Sequence, residues 1–348
     1  MNEIKFLTHT FAKKHINGRF HPESPERLVV LENWIKQSNL NLEVLDRQAT
    51  KEEILSVHSS NLYEMVKKTD GIDGSFRFDA DTSASAYTFK ASTGAVATGI
   101  TAIERATTEV SYFALVRPPG HHAYRSMPGG FCIFNNIAIA TTLALKRDWY
   151  RKIAIIDFDQ HYGNGTAAIM GSNPNVLYFS THASPNIAFP GLGYIDELGE
   201  GSGIGSSVAI PLNYRATEAD FFYAFESVIT PICLQFQPEM IAISVGFDAY
   251  EKDVIGVLGI SIKGFEIIGR LLKHLAQTLD APVAHFLEGG YNIKDLPTLM
   301  ESYVKPFNTP GKEVLSSSMK DRLMDKTQEH TFNVIERLKG LLSNYWKI

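Results

Sequence analysis

Asp159 and His161 stand two residues apart in the run Asp157-Phe158-Asp159-Gln160-His161. On extended backbone alternate side chains point the same way, so both can reach one cation. Asp248, in Gly246-Phe247-Asp248, offers a third ligand. Two carboxylates and one imidazole suit a tetrahedral Zn2+ with its fourth position open to water or a substrate carbonyl, the arrangement of a catalytic rather than a structural site. Taken singly, each residue has a plainer role: Asp159 as a helix cap, His161 as a buried hydrogen-bonding group, Asp248 in a turn.

A second concentration of chemistry is the pair His121-His122, which follows the stiff turn Arg117-Pro118-Pro119-Gly120. Such a turn presents two imidazoles in fixed positions, and one of them can act as a general base. Asp157 and Asn164 are candidate partners that would hold the imidazoles in defined tautomers, the carboxylate raising basicity more than the amide. A His-His pair in a loop is otherwise often just exposed. Cys132 and Cys233, the only cysteines, are too few for a disulfide framework and lack the spacing of a thiolate metal site. Free thiols are expected.

The elements that must position these groups are legible in the apolar pattern. Short β-branched and aromatic runs occur at Tyr112–Val116, Ile153–Ile156, Val176–Phe179, Met240–Val245 and Val283–Leu287. They read as buried parallel strands. Helical spacing predicts helices at Asn136–Lys146, at Glu218–Gln235 despite Pro231, and at Ile262–Leu279. A further stripe, Phe332, Ile335, Leu338, Leu341 and Leu342, reads as packing surface, and Gly199–Gly205 reads as a loop. The alternation predicts an α/β fold, a parallel sheet flanked by helices in one domain spanning 1–348. Four of the apolar runs end directly in ligand-capable residues: Arg117 to His122, Asp157 to His161, Gly246 to Asp248, and Glu288 to Tyr291. Open parallel sheets bind ligands beyond the carboxyl ends of their strands, so all four endings should converge on one crevice.

The bulk composition bounds the class. Of the 348 residues 44% are hydrophobic, and 33 basic against 38 acidic residues give a net charge of −5. Nothing here suggests a strongly basic nucleic-acid surface. No apolar run approaches membrane-spanning length and the N-terminus lacks a signal-peptide core, so the cytoplasm is the expected compartment. Oligomeric state is left open.

With these residues in view, five motifs in order, Arg117–Ala123, Gly129–Asn136, Asp157–Gly165, Gly246–Ala249 and Leu287–Asn292, together with the segment His21–Leu28, resemble the zinc-dependent histone deacetylase and acetylpolyamine amidohydrolase superfamily. The resemblance covers about residues 20 to 295. It implies an arginase-like α/β domain with Asp159, His161 and Asp248 as ligands of one Zn2+, and Tyr291 donating to the substrate carbonyl oxygen. His121 would pair with Asp157 and His122 with Asn164. Gly130, Phe131 and Phe189 would wall a narrow channel, and Arg27 would line an internal pocket near the released acid. A K+ site is also implied around Asp157, Asp159, His161, Ser180 and Thr181.

Two positions depart from common family patterns. Tyr162 replaces a histidine that often follows the ligand histidine, and neither the metal triad nor the histidine pair needs that side chain. Ile255 stands where a polyamine-selective relative can carry an acidic gatekeeper, which favours acyl-lysine in a peptide or protein over an acetylated polyamine. Two other functions compete. A two-metal ureohydrolase is disfavoured because Tyr250 and Gly163 occupy positions where further ligands would be needed, and an inactive acyl-lysine binding protein is disfavoured because every catalytic position is filled.

Overall fold

The protein is described by a computed structural model covering residues 3–311 and 315–348. Its frame is an eight-stranded sheet: β1 (Glu3–His9), β2 (Leu42–Leu45), β3 (Val110–Ala114), β4 (Ile153–Asp157), β5 (Val176–Ala183), β6 (Ser207–Leu212), β7 (Met240–Val245) and β8 (Val283–Leu287). All neighbours pair in parallel, in the order β2-β1-β3-β8-β7-β4-β5-β6. Every residue of β4, β5, β6, β7 and β8 is buried. Helices cover both faces of such a sheet, so its strands are apolar throughout rather than alternating. Among the described residues no helix is long and apolar enough to cross a membrane.

The four strands whose endings carry chemistry, β3, β8, β7 and β4, are neighbours in the middle of the sheet. Ile153–Asp157 pairs in register with Met240–Ser244, and Val283–Leu287 with Ile241–Val245. Matched registers bring the strand ends level, so the convergence expected from the sequence is realised.

Three strands escaped the sequence pattern. β1 interleaves Glu3 and Lys5 with apolar residues, β2 is a four-residue edge strand, and β6 contains Pro211. The third strand begins two residues earlier than expected, at Val110, and Leu115 and Val116 continue beyond it as buried chain. The helix expected over Glu218–Gln235 is interrupted: a π turn at Phe225–Ile229 joins helices Glu218–Ala224 and Thr230–Phe236. Pro231 lies in the first turn of the last piece, where a missing N–H costs least. The helix Thr88–Arg105 gave no clear stripe because fourteen of its residues, mostly small, are buried all round. A Cβ on its Gly99 would approach Phe286 of β8 to 2.5 Å, so glycine there sets how closely helix and sheet can pack. The C-terminal helix Glu329–Leu342 buries Ile335, Leu338 and Leu342 and packs against β6.

Candidate active site

At the end of β4 the chain delivers Asp159 and His161, and the loop after β7 delivers Asp248. One ligand atom from each lies within 4.8 Å of the others. The Nδ1 of His161 is 3.2 Å from Asp159 Oδ1 and 3.0 Å from Asp248 Oδ2. Burial disfavours charge on both aspartates: it lifts the Asp248 carboxyl to about 7, with the Asp159 carboxylate adding to the effect, whereas at Asp159 the neighbouring His121 and His161 outweigh burial and hold the carboxyl well below the usual range. A proton on His161, held near 10 by these carboxylates against the opposing effect of burial, is one way to balance the charge. A divalent cation among the same three atoms is another, and this donor set fits Zn2+. Space for the cluster is kept by Gly289, whose hypothetical Cβ would come within 2.2 Å of Asp248 Oδ2.

The two histidines are separated electrostatically. His121 Nδ1 is 3.1 Å from Asp157 Oδ2, and His122 Nδ1 is 2.6 Å from Asn164 Oδ1. Burial opposes charge on both rings. For His121 the carboxylates of Asp159, Asp157 and Glu288 outweigh it and hold the imidazole near 10. For His122 burial is reinforced by His121 and His161, which keeps that ring neutral far below its ordinary range. A neutral, fixed imidazole beside a cationic one is suited to proton transfer. Two further groups hold this arrangement. Tyr178 donates to Asp157 Oδ2 at 3.2 Å, and Glu288 Oε2 accepts the backbone N–H groups of Gly120 and His121 at 2.8 and 3.1 Å.

Beyond β8, Tyr291 turns its ring against that of Phe131 in an edge-to-face contact at 5.8 Å. Its loop is anchored by Asp253, which accepts the N–H groups of Tyr291, Asn292 and Ile255 at 2.7, 3.0 and 3.1 Å. Arg27 is wholly buried behind Tyr291: its guanidinium lies 5.0 Å from the ring and donates to the carbonyls of Gly290 and Glu288 at 2.7 and 2.6 Å. It is not among the side chains lining the open cavity. That cavity, of about 310 Å3, is lined by His122, His161, Tyr291, Phe131, Phe189 and Ile255, with Gly130 and Asp81 also in its wall. Phe189 stands edge-on to His122 at 5.0 Å, and Gly130 is required where a Cβ would strike the His122 ring. Gln160 donates to the Ile255 carbonyl at 3.0 Å and accepts from the Val257 N–H at 2.8 Å, tying the gatekeeper loop to the ligand loop.

Of the residues expected from the sequence, His122, His161, Tyr291, Gly130, Phe131, Phe189 and Ile255 line this cavity, while Asp159, Asp248, His121, Asp157 and Asn164 stand against those lining residues without being in its wall, and Arg27 lies behind Tyr291. Ser180 pairs with Asp157 across β4 and β5, and the buried Oγ1 of Thr181 has no hydrogen-bond partner. Glu288, Asp253, Tyr178 and Asp81 were not assigned roles from the sequence. Glu288 lay inside a quoted motif, but its task of gripping a backbone turn from another strand leaves no spacing signature. Asp81 comes from a loop after the two-residue strand Phe76–Arg77, far from any motif.

Comparison with known proteins adds the following. The histone deacetylase domain family matches residues 21–307. The chain is 34% identical over 305 residues to histone deacetylase clr3 of Schizosaccharomyces pombe, covering 80% of this chain and 43% of that protein. It is 32% identical over 356 residues to histone deacetylase HDA1 of Candida albicans, covering 94% and 41%. The chain thus spans less than half the length of these two fungal relatives. A probable deacetylase of Archaeoglobus fulgidus is 32% identical over 292 residues, covering 81% of this chain and 79% of that protein. The crystal structure of the HDA15 HD domain superposes with a TM-score of 0.87 at 27% identity, covering 99% of this chain and 95% of that one.

Proposed function

The chain belongs to the histone deacetylase family, and from that premise we propose that it is a zinc-dependent hydrolase removing an acyl group, acetyl first of all, from the side-chain amine of lysine in a peptide or protein. The observation that carries this reading is the Asp159, His161 and Asp248 cluster set beside a channel walled by Phe131 and Phe189. Two aromatic walls admit a slender aliphatic stem and place its terminal amide beside His161, His122 and Tyr291.

Zn2+ held by Asp159, His161 and Asp248 would supply Lewis acidity and a water whose pKa falls from about 15.7 towards about 7. The protein's own groups do the rest. His122, neutral and 2.6 Å from Asn164, takes the proton from attacking water. The Tyr291 hydroxyl, which has no hydrogen-bond partner among the described residues, donates to the carbonyl oxygen as negative charge develops there. The histidine pair then returns a proton to the leaving amine, which departs along the channel. K+ near Asp157, Ser180 and Thr181 is part of the same reading; the unpartnered Thr181 hydroxyl supports it.

Asp81 gives a second substrate reading some footing. A carboxylate in the channel wall can attract the ammonium of an acetylated polyamine, although the gatekeeper position itself is the apolar Ile255. The test is a side-by-side measurement of kcat/KM on acetyl-lysine peptides, longer acyl-lysines and acetylated polyamines by the zinc-loaded protein. Preference for acyl-lysine is expected. Much higher efficiency on polyamines would shift the assignment to the second substrate, and absence of turnover on all three would leave only a binding role.

A further inference from the structure

Tyr162 departs from the common family pattern and has no part in the metal cluster or the histidine pair, yet it is only 2% exposed. Its ring packs on His182 of β5 at 4.7 Å. Gly193 rests against both rings: a Cβ there would come within 2.7 Å of Tyr162 Cγ and 2.4 Å of His182 Nε2. Its φ of +95° is a second reason for glycine at this position. Three side chains thus grip one residue. His182 Nε2 donates to the Gly193 carbonyl at 3.0 Å, Glu197 Oε1 accepts the Gly193 N–H at 2.7 Å, and the Tyr162 ring supports the backbone. The Tyr162 hydroxyl is directed at the same Glu197 carboxylate.

The gripped residue ends the segment that forms one wall of the channel. Ile187, Ala188 and Phe189 all line that cavity, and Phe189 is half exposed. On its N-terminal side the segment is fastened where the Ser184 N–H donates to the Leu212 carbonyl of β6 at 2.7 Å. Between this bond and Gly193, among the described residues, the N–H groups of Ile187, Ala188 and Gly191 bond only within the segment, to the carbonyls of Ser184 and Ala188. Bonds internal to an exposed segment shape it without fixing it to the body of the molecule. The place of the wall therefore depends on its two fastenings.

We infer that Tyr162 is a positioning residue: by seating Gly193 it fixes the wall formed by residues 187–189 and so sets how tightly the channel holds a substrate stem. The inference rests on the reading of that cavity as the substrate channel. A wall that grips the stem does so in the ground state and in the transition state alike, so loosening it is felt in KM rather than in kcat.

The test compares Tyr162→Leu, Tyr162→Phe, Glu197→Ala and Phe189→Ala in the zinc-loaded protein with an acetyl-lysine peptide. Tyr162→Leu removes the flat ring, and Glu197→Ala releases Gly193 from the loop side without touching the neighbour of a ligand residue. Each should raise KM by about tenfold with kcat within about threefold, whereas Tyr162→Phe, which keeps the ring, should stay within about threefold in both. Adding Tyr162→Leu to Phe189→Ala should change KM by less than about twofold, because the wall it positions is already gone. Independent, multiplying effects would overturn the inference, and so would a fall in kcat with KM unchanged or a loss of zinc on elemental analysis, either of which would place the action of Tyr162 on His161. Hydrogen exchange gives a readout apart from turnover: the amides of residues 187–191 should exchange about tenfold faster in Tyr162→Leu and Glu197→Ala than in the unmodified protein. Unchanged exchange in both would overturn the anchor. If Tyr162→Leu does not fold, Glu197→Ala decides alone. If the unmodified protein turns over no acyl amide, the deacylase reading fails by itself and exchange decides whether the anchor stands.

Discussion

At the scale of single residues the site divides labour by environment. Three kinds of group occupy a volume of a few ångströms: carboxylates gathered for a cation, an imidazole held charged by three carboxylates, and an imidazole kept neutral by burial and two neighbouring rings. Tyr291 adds a phenol whose proton burial binds firmly, its pKa standing well above the ordinary range, so it acts as a hydrogen-bond donor rather than as an acid. Tyr291→Phe should therefore lower kcat by about a hundred- to a thousand-fold, because an oxyanion donor matters most in the transition state. KM should move only a few-fold. Steady-state kinetics on an acetyl-lysine reporter check this, and unchanged kcat would remove Tyr291 from the mechanism.

Elements and loops supply the precision. The Tyr291 loop and the Ile255 loop share one anchor, the Asp253 carboxylate, which accepts three backbone N–H groups. Asp253→Ala should release both loops and reduce kcat/KM by about tenfold to a hundredfold, since displacement of a catalytic group by about 1 Å costs that much. Metal content, measured by elemental analysis, should stay at one zinc per chain because Asp253 is outside the ligand triad; a parallel loss of metal would show that the loop supports the triad instead. The same loop governs substrate choice. Ile255 is exposed at the channel wall, and a carboxylate placed there would join Asp81 facing a substrate ammonium. Ile255→Glu should shift the ratio of kcat/KM for acetylpolyamine over acetyl-lysine peptide upwards by about tenfold, the effect of a partly shielded charge pair worth roughly 1.4 kcal/mol. A ratio that does not change would mean that the position does not meet the substrate's distal amine.

For the whole molecule, stability and catalysis are largely separable. The apolar core runs through the sheet and its covering helices independently of the ligand triad. Removing zinc with a chelator, or replacing Asp248 with Ala, should abolish turnover while leaving circular dichroism and cooperative unfolding in place. An apo protein that unfolds outright would contradict this. Acid sensitivity should come from elsewhere in the core. His285 in β8 stacks on Phe113, contacts the Tyr303 hydroxyl at 2.9 Å through Nδ1, and has a buried Nε2 without a partner. Burial lowers its pKa to about 3. Between that value and about 6.5 the unfolded chain binds a proton that the folded chain refuses, so stability falls as pH is lowered through this window, by about 1.4 kcal/mol per pH unit for this histidine. Urea denaturation at pH 6.5 and 5.0 should show His285→Phe losing about 2 kcal/mol less than the unmodified protein over that interval. An identical loss in both would place the acid sensitivity on other groups.

The sequence by itself determined the chemistry and the class of frame. Asp159 and His161 share a direction because extended backbone alternates, and five apolar runs, four of them ending directly in ligand-capable residues, identify strands of a parallel sheet whose ends hold ligands. Those are local properties, carried by spacing and side-chain type. Strand order was not local: that β3, β8, β7 and β4 are neighbours follows from pairings such as Tyr112 with Ala284, Ile241 with Val283 and Ile153 with Met240, between segments far apart in the chain, and it alone brings His122 beside His161 and Tyr291. The mixed composition of β1 and the brevity of β2 hid two strands, because pairing to a neighbour rather than periodicity stabilises them. Glu288, Asp253, Tyr178 and Asp81 were invisible for the same reason. Each works on a partner distant in sequence, so its role exists only once folding has placed that partner within hydrogen-bond reach or set both in one cavity wall, and desolvation then decides which carboxylates and imidazoles keep their charge.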